Sequence, residues 1–200
     1  IFVLQHLLNR RIPLLKFFLK HELIWVPVLG LAWWALDFPF MRRHSEKYLR
    51  KHPEKRLEGL ETTRRACAKF ARLPTSVMNF VEGTRFTPEK HARQASPYRH
   101  LLKPKSGGVA YVLEAMGDGL HGIVDVTIAY PGGIPTLLDL MAGRVSAVYV
   151  SVRQRPLPVQ ILDGGEGDDR ARRARFQRWI NALWQEKDAE LSRVLDRNDD

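Results

Sequence analysis

The sequence predicts an α/β fold, a single domain with a mixed sheet flanked by helices, on three observations. Short apolar runs with strand character (14–19, 76–81, 123–130 and 145–153) alternate with stretches of helical periodicity. Turn residues punctuate the runs, notably Pro13, Gly83 and Pro131-Gly132-Gly133. The 200 residues, 44% hydrophobic and without repeats, suit one core.

Residues 1–8 read as a helix that Pro13 breaks, and 14–19 as a strand flanked by Lys16 and Lys20. Residues 23–36 form an uncharged run of fourteen containing Trp25, Trp33 and Trp34. A bilayer-spanning helix needs roughly 20 apolar residues. The run is therefore read as a buried core helix, as a segment at a membrane interface, where Trp is enriched, or as a short full span. Residues 45–72 read as helical, with Leu60, Thr63, Cys67 and Phe70 on one face. The polar stretch 87–101, with Pro88 and Pro97, reads as a loop, and 107–116 as a helix. In 145–153, Val148, Val150 and Val152 alternate with Tyr149, Ser151 and Arg153, the pattern of a half-buried strand. A long final helix carries Phe176, Trp179, Ile180, Leu183 and Trp184 as its apolar stripe.

A net charge of +10 favours an anionic partner: a phospholipid surface, a nucleic acid or a phosphorylated substrate. The aromatics cluster with apolar residues and do not alternate with basic ones, which argues against nucleic acid. Arg170, Arg172, Arg173, Arg175 and Arg178 form a basic face that either meets anionic headgroups or is simply solvated. The single cysteine, Cys67, rules out an internal disulfide framework. No histidine pair has metal-ligand spacing, so no metal is expected. Gly164-Gly165-Glu166-Gly167 has acidic neighbours that would repel phosphate.

The informative stretch is Phe80-Val81-Glu82-Gly83-Thr84-Arg85. An apolar run ends in a Gly turn carrying an acid, a hydroxyl and a guanidinium. Arg offers a rigid, permanently charged fork for a phosphate, and Thr84 a further donor. Glu82 could orient Arg85 or hold the turn, and Gly83 permits close backbone approach. Without a ligand the same tetrad would be an exposed loop with a solvated ion pair.

This tetrad resembles the acceptor-binding motif of the glycerolipid acyltransferases. Phe38-Pro39-Phe40-Met41-Arg42-Arg43 is similar to the family's second block, with Arg42 at the position that helps hold the acceptor phosphate and Met41 where an acid often stands. Leu102-Lys103-Pro104-Lys105-Ser106-Gly107-Gly108 lies where the family has a basic residue before a helix, Lys105 being preferred and Lys103 second. Val126-Thr127-Ile128-Ala129-Tyr130-Pro131 resembles the fourth, structural block. The ordered blocks cover roughly residues 1–131, and the stretch to Arg155 looks like the branch related to lysophosphatidic acid and lysocardiolipin acyltransferases.

The resemblance implies a glycerol-phosphate acyltransferase-like fold over residues 1–160, with 161–200 as a C-terminal helical extension. It implies transfer of an acyl chain from acyl-CoA or acyl carrier protein to the sn-2 hydroxyl of 1-acylglycerol-3-phosphate (lysophosphatidic acid), making phosphatidic acid in phospholipid biosynthesis. Another lysophospholipid acceptor (lysocardiolipin or a lyso-aminolipid) and a non-catalytic anionic-lipid-binding relative are the alternatives. The implied acceptor-binding set is Glu82, Gly83, Thr84, Arg85, Arg42 and Lys105, with no cofactor beyond the acyl donor. The implied location is the cytoplasmic face of the (inner) membrane.

The family's base is a His paired with an Asp five positions on. None of the seven histidines has that Asp: the residues five on are Arg11, Val26, Leu49, Leu57, Ser96, Lys105 and Val126. The chain opens in an apolar segment without an initiator Met or signal-peptide pattern. It is accordingly expected to be a fragment, with the catalytic His and Asp upstream of Ile1.

Overall fold

The computed structural model describes residues 2–17, 19–36, 38, 40–41, 52, 54, 61, 74–116, 119–158 and 169–197. Arg42, Arg43, His44, Leu60, Thr63, Cys67, Phe70 and the Gly164–Gly167 stretch lie outside the described residues. Helices and small sheets alternate along the chain, an α/β arrangement with mixed strand pairing. The chain divides into two compact units, Ile1–Phe80 with Gly107–Leu120, and Val81–Ser106 with His121–Asp200.

The first unit opens with helix α1 (Phe2–Leu8), which buries Leu4 and Leu8, four residues apart on one face. Arg10, at φ 61, turns the chain away before Pro13. Strand β1 (Leu15–Phe17) pairs in parallel with β4 (Ser76–Met78), and β2 (Leu19–Lys20) pairs in parallel with β3 (Phe40–Met41). Parallel pairing needs a long crossover. Between β2 and β3 it holds a 3-10 turn (His21–Trp25) and helix α2 (Leu29–Ala35). Edge-on packing of Phe17 on Phe38, ring centroids 4.9 Å apart, closes the sheet side of this crossover. β4 is three residues shorter than the apolar run suggested, because its partner β1 ends at Phe17 and Phe80 faces outward.

The uncharged run is neither one helix nor buried. Its two helical pieces and the turn between them leave Trp25 81%, Val28 80%, Leu31 67% and Trp34 63% exposed. Pro27 divides it, and Val28 sits at φ 64, a region that β-branched residues rarely enter. The core-helix alternative fails for the described residues of this run.

The second unit is organised by helix α6 (Asp169–Asp196). Phe176, Ile180, Leu183, Trp184 and Leu191 are buried along one stripe, as the periodicity indicated. Strands β5 (Ile123–Ala129) and β6 (Tyr149–Arg155) form an antiparallel pair in which Ile123 faces Arg155 and Ala129 faces Tyr149. The expected alternation in β6 is present, but the polar face is the one that meets α6. Tyr149 and Arg153 reach Glu190 (both 3.1 Å), and Arg155 reaches Asp125 (2.8 Å) and Glu186 (2.5 Å). Val124 and Val152, on the other face, stay more than two-fifths exposed. Two short helices complete the unit, α3 (Pro88–Gln94) and α5 (Leu137–Met141). Helix α4 (Ser106–Met116) is divided between the units, Ser106 falling in the second and Gly107 onward in the first.

Candidate functional site

The tetrad opens the second unit as a turn. Gly83 adopts φ +70, in the left-handed region where a side chain would be strained. A Cβ built there would lie 3.4 Å from Lys105 Cδ and 3.5 Å from Lys105 Nζ. The Lys105 side chain therefore runs directly over the glycine, at ordinary contact distance from where a Cβ would stand, so it is the backbone φ and not the space that favours glycine here. The pairing is fixed from below, since Lys105 N–H donates to the Val81 carbonyl at 2.8 Å.

The loop that carries Lys105 is held by α6. Leu102 is fully buried. Trp184 Nε1 donates to the Leu102 carbonyl (3.1 Å), Gln177 Nε2 donates to the Pro104 carbonyl (3.4 Å), and Ser106 Oγ donates to Gln177 Oε1 (2.5 Å). Asp188 accepts from the backbone N–H groups of Arg99 and His100, both at 2.8 Å. A loop so anchored fixes the Lys105 backbone, while no hydrogen bond among the described residues holds its ammonium.

Arg85 and Lys105 are exposed, and neither charged head has a hydrogen bond or ion pair among the described residues. Glu82 is half-buried, and burial pushes its carboxyl up to about 7 despite a hydrogen bond from the Leu102 N–H. Near neutral pH it is therefore about half ionised, which reduces the repulsion an anionic ligand would meet without removing it. Arg42 lies outside the described residues, so the six expected acceptor-binding residues reduce here to five, all in the second unit.

Sequence reasoning missed Lys90. Residues 87–101 were expected to form a loop, yet α3 runs from Pro88 to Gln94. The signal was present: Thr87 caps the helix by accepting from Lys90 N–H (3.3 Å), Pro88 fills its first position and Glu89 its first turn. That cap places Lys90 so that its Nζ donates to Thr84 Oγ1 (2.9 Å) and to the Arg85 carbonyl (3.0 Å). His91, on the same helix, donates from Nε2 to the Tyr98 carbonyl (2.6 Å) and packs on Phe86 at 5.6 Å between centroids. That bond ties up one of its ring nitrogens, a structural use. Lys103 is exposed and its backbone N–H donates to Gln94 Oε1 (3.1 Å). No group of three His, Cys, Asp or Glu residues able to hold a metal occurs among the described residues.

The Thr84 hydroxyl, the Arg85 guanidinium and the Lys90 and Lys105 ammonium groups thus belong to or touch one turn, beside a Glu82 carboxyl that is about half ionised near neutral pH and the Glu89 carboxyl next to Lys90. This arrangement can hold a doubly charged phosphate by charge-assisted hydrogen bonds.

Comparison with known proteins follows the same line. The family described as Acyltransferase matches residues 1–131. Among curated proteins, the chain is 27% identical over 185 residues to mouse (Mus musculus) "1-acyl-sn-glycerol-3-phosphate acyltransferase gamma", covering 87% of the chain and 44% of that protein. It is 27% identical over 193 residues to the rat (Rattus norvegicus) "1-acyl-sn-glycerol-3-phosphate acyltransferase delta" and 28% identical to the human (Homo sapiens) delta protein, with the same coverages of 87% and 44%. The chain spans less than half the length of the curated relatives it matches. No solved structure matches it significantly.

Proposed function

The chain belongs to the Acyltransferase family, and from that premise we propose that it forms the acceptor-binding part of a 1-acylglycerol-3-phosphate O-acyltransferase. The single observation that carries this reading is the gathering of Thr84, Arg85, Lys90 and Lys105 on one Gly83 turn. A phosphate monoester is the ligand such a cluster suits, because it offers two charges and three acceptor oxygens to donors of this kind.

In the proposed reaction the acceptor's sn-2 oxygen attacks the thioester carbonyl of acyl-CoA or acyl carrier protein. The new ester C–O bond forms, the C–S bond breaks, and the thiolate leaves and takes up a proton. The hydroxyl proton passes to a base. By the family resemblance that base is a His with an Asp five residues on, a spacing none of the seven histidines here has. The residues of the turn bind and orient. Fixing the phosphate fixes the distance of the sn-2 oxygen from the carbonyl, and positioning of this kind lowers a barrier by several kcal/mol.

The same proposal puts the protein on the cytoplasmic face of a membrane. No helix among the described residues is long and apolar enough to cross one. The exposed row Trp25, Val28, Leu31 and Trp34 supports contact with the headgroup and acyl boundary, where Trp is favoured. The net charge of +10 supports an anionic leaflet.

The test is product formation by the complete gene product, supplied with radiolabelled acyl-CoA and either lysophosphatidic acid or lysophosphatidylcholine. Labelled phosphatidic acid, with little labelled phosphatidylcholine, is the expected outcome. Equal use of the phosphate-blocked acceptor would assign the site to another lysophospholipid. Lipid binding without any transfer would leave a non-catalytic relative.

A further inference from the structure

We infer that Lys90 is a phosphate-site residue, which orders Thr84 as a hydrogen-bond donor and offers its own remaining N–H to the ligand. The inference rests on the acceptor-binding reading above. An ammonium has three donors and no acceptor. In the 2.9 Å contact with Lys90 Nζ, Thr84 Oγ1 must therefore be the acceptor. The hydroxyl's own proton is then turned away from Lys90 and left to donate elsewhere. A hydroxyl whose oxygen already accepts from a cation is also a better donor, because linked hydrogen bonds polarise one another.

The second N–H of Lys90 holds the Arg85 carbonyl at 3.0 Å, which fixes the backbone from which the guanidinium projects. The third makes no hydrogen bond among the described residues, and the neighbouring Glu89 carboxyl interacts with the Lys90 charge. The Lys90 backbone is set in turn by the Thr87 cap. Lys90 thus differs from Arg85 and Lys105. Its ammonium is pre-positioned by the fold, whereas theirs are held by no hydrogen bond among the described residues. A pre-positioned cation gives more affinity for the same charge, since little side-chain freedom is lost on binding.

The experiment is calorimetric titration of the chain with a short-chain 1-acylglycerol 3-phosphate below its micellar concentration, and with the matching 1-acylglycerol that lacks phosphate. Lys90→Met should weaken binding of the phosphate ligand by roughly 10- to 100-fold, the loss typical of a charge-assisted hydrogen bond, and leave the phosphate-free ligand unaffected. Thr84→Val should weaken it less. The double variant should lose less than the product of the two single losses, because one residue acts through the other. Lys90→Gln, which keeps a neutral donor, should melt with the wild type and still lose most of the phosphate preference. Unchanged binding in both Lys90 variants, or equal losses for both ligands, would overturn the inference. A wild-type chain that prefers neither ligand would instead overturn the acceptor-binding reading beneath it.

Discussion

Lys187 and Lys105 are the same residue type in the same unit, and the fold treats them in opposite ways. Lys187 is buried under the β5–β6 hairpin, where its ammonium donates to the Val126 carbonyl (2.9 Å) and Thr127 Oγ1 (3.1 Å) and pairs with Asp125. All three donors are satisfied, and the charge also sits 5.9 Å from the Trp184 ring. Lys105 is exposed and its ammonium lies over Gly83 with no acceptor among the described residues. A cation whose hydrogen bonds are complete is structural, because a ligand would have to displace fixed partners. One left unsatisfied on an anchored loop is available to an anion. Lys90 stands between the two, with two donors held and one left over.

The contrast can be broken from its buried side first. Lys187→Met should lower unfolding free energy by about 3 kcal/mol, because it leaves Asp125 buried with Arg155 as its remaining partner. Urea denaturation followed by circular dichroism measures it. A loss within about 0.5 kcal/mol, the usual range for a surface substitution, would mean the ammonium is not buried as described.

From the exposed side, Arg85→Ala and Lys105→Ala should do the reverse. Each should weaken phosphate-ligand binding by roughly 10- to 100-fold while the denaturation midpoint stays put. Loss of stability without loss of binding would reverse the roles of the two lysine classes.

Thr87→Ala sharpens the middle case. Loss of the cap should cost about 1 kcal/mol of stability. It should also weaken phosphate binding a few-fold, through Lys90, without touching the ligand.

The last case concerns Glu82, whose carboxyl is raised from 4.5 to about 7 by burial. Between these values the folded chain holds a proton that the unfolded chain has lost. Stability from this group is therefore full below about 4.5 and is lost as the pH rises through about 7. Glu82→Gln, which can still accept from the Leu102 N–H, should flatten that part of the stability profile between pH 5 and 8 and strengthen phosphate binding at the alkaline end. Parallel profiles for the two proteins would show that the carboxyl ionises normally.

Much of the second unit was legible because its signals are local or periodic. The stripe on α6 and the alternation in β6 follow from spacing alone, and Gly83 with Arg85 could be read from residue type. What could not be read was which face of β6 packs inward. Three valines on one side look like a core face, yet Glu186, Lys187 and Glu190 on α6 select the face with Tyr149, Arg153 and Arg155. That choice depends on a partner helix far along the chain, which no strand pattern encodes. Helix α3 was missed for another reason, since two prolines nearby outweighed the cap at Thr87, although a proline just after a cap starts a helix and does not stop one. With α3 unread, Lys90 could not be placed beside Thr84. The uncharged run with Trp25 and Trp34 was ambiguous in principle, because buried helices and membrane-facing segments share its composition.

The most direct measurement is the affinity of the chain for a short-chain 1-acylglycerol 3-phosphate relative to the same 1-acylglycerol without phosphate. The expected result is tighter binding of the phosphate form by at least about 10-fold, an advantage that disappears when Arg85 and Lys105 are both replaced by Ala. Equal affinity for the two ligands in the wild-type chain would contradict it, and the cations on the Gly83 turn would then be solvated surface charges.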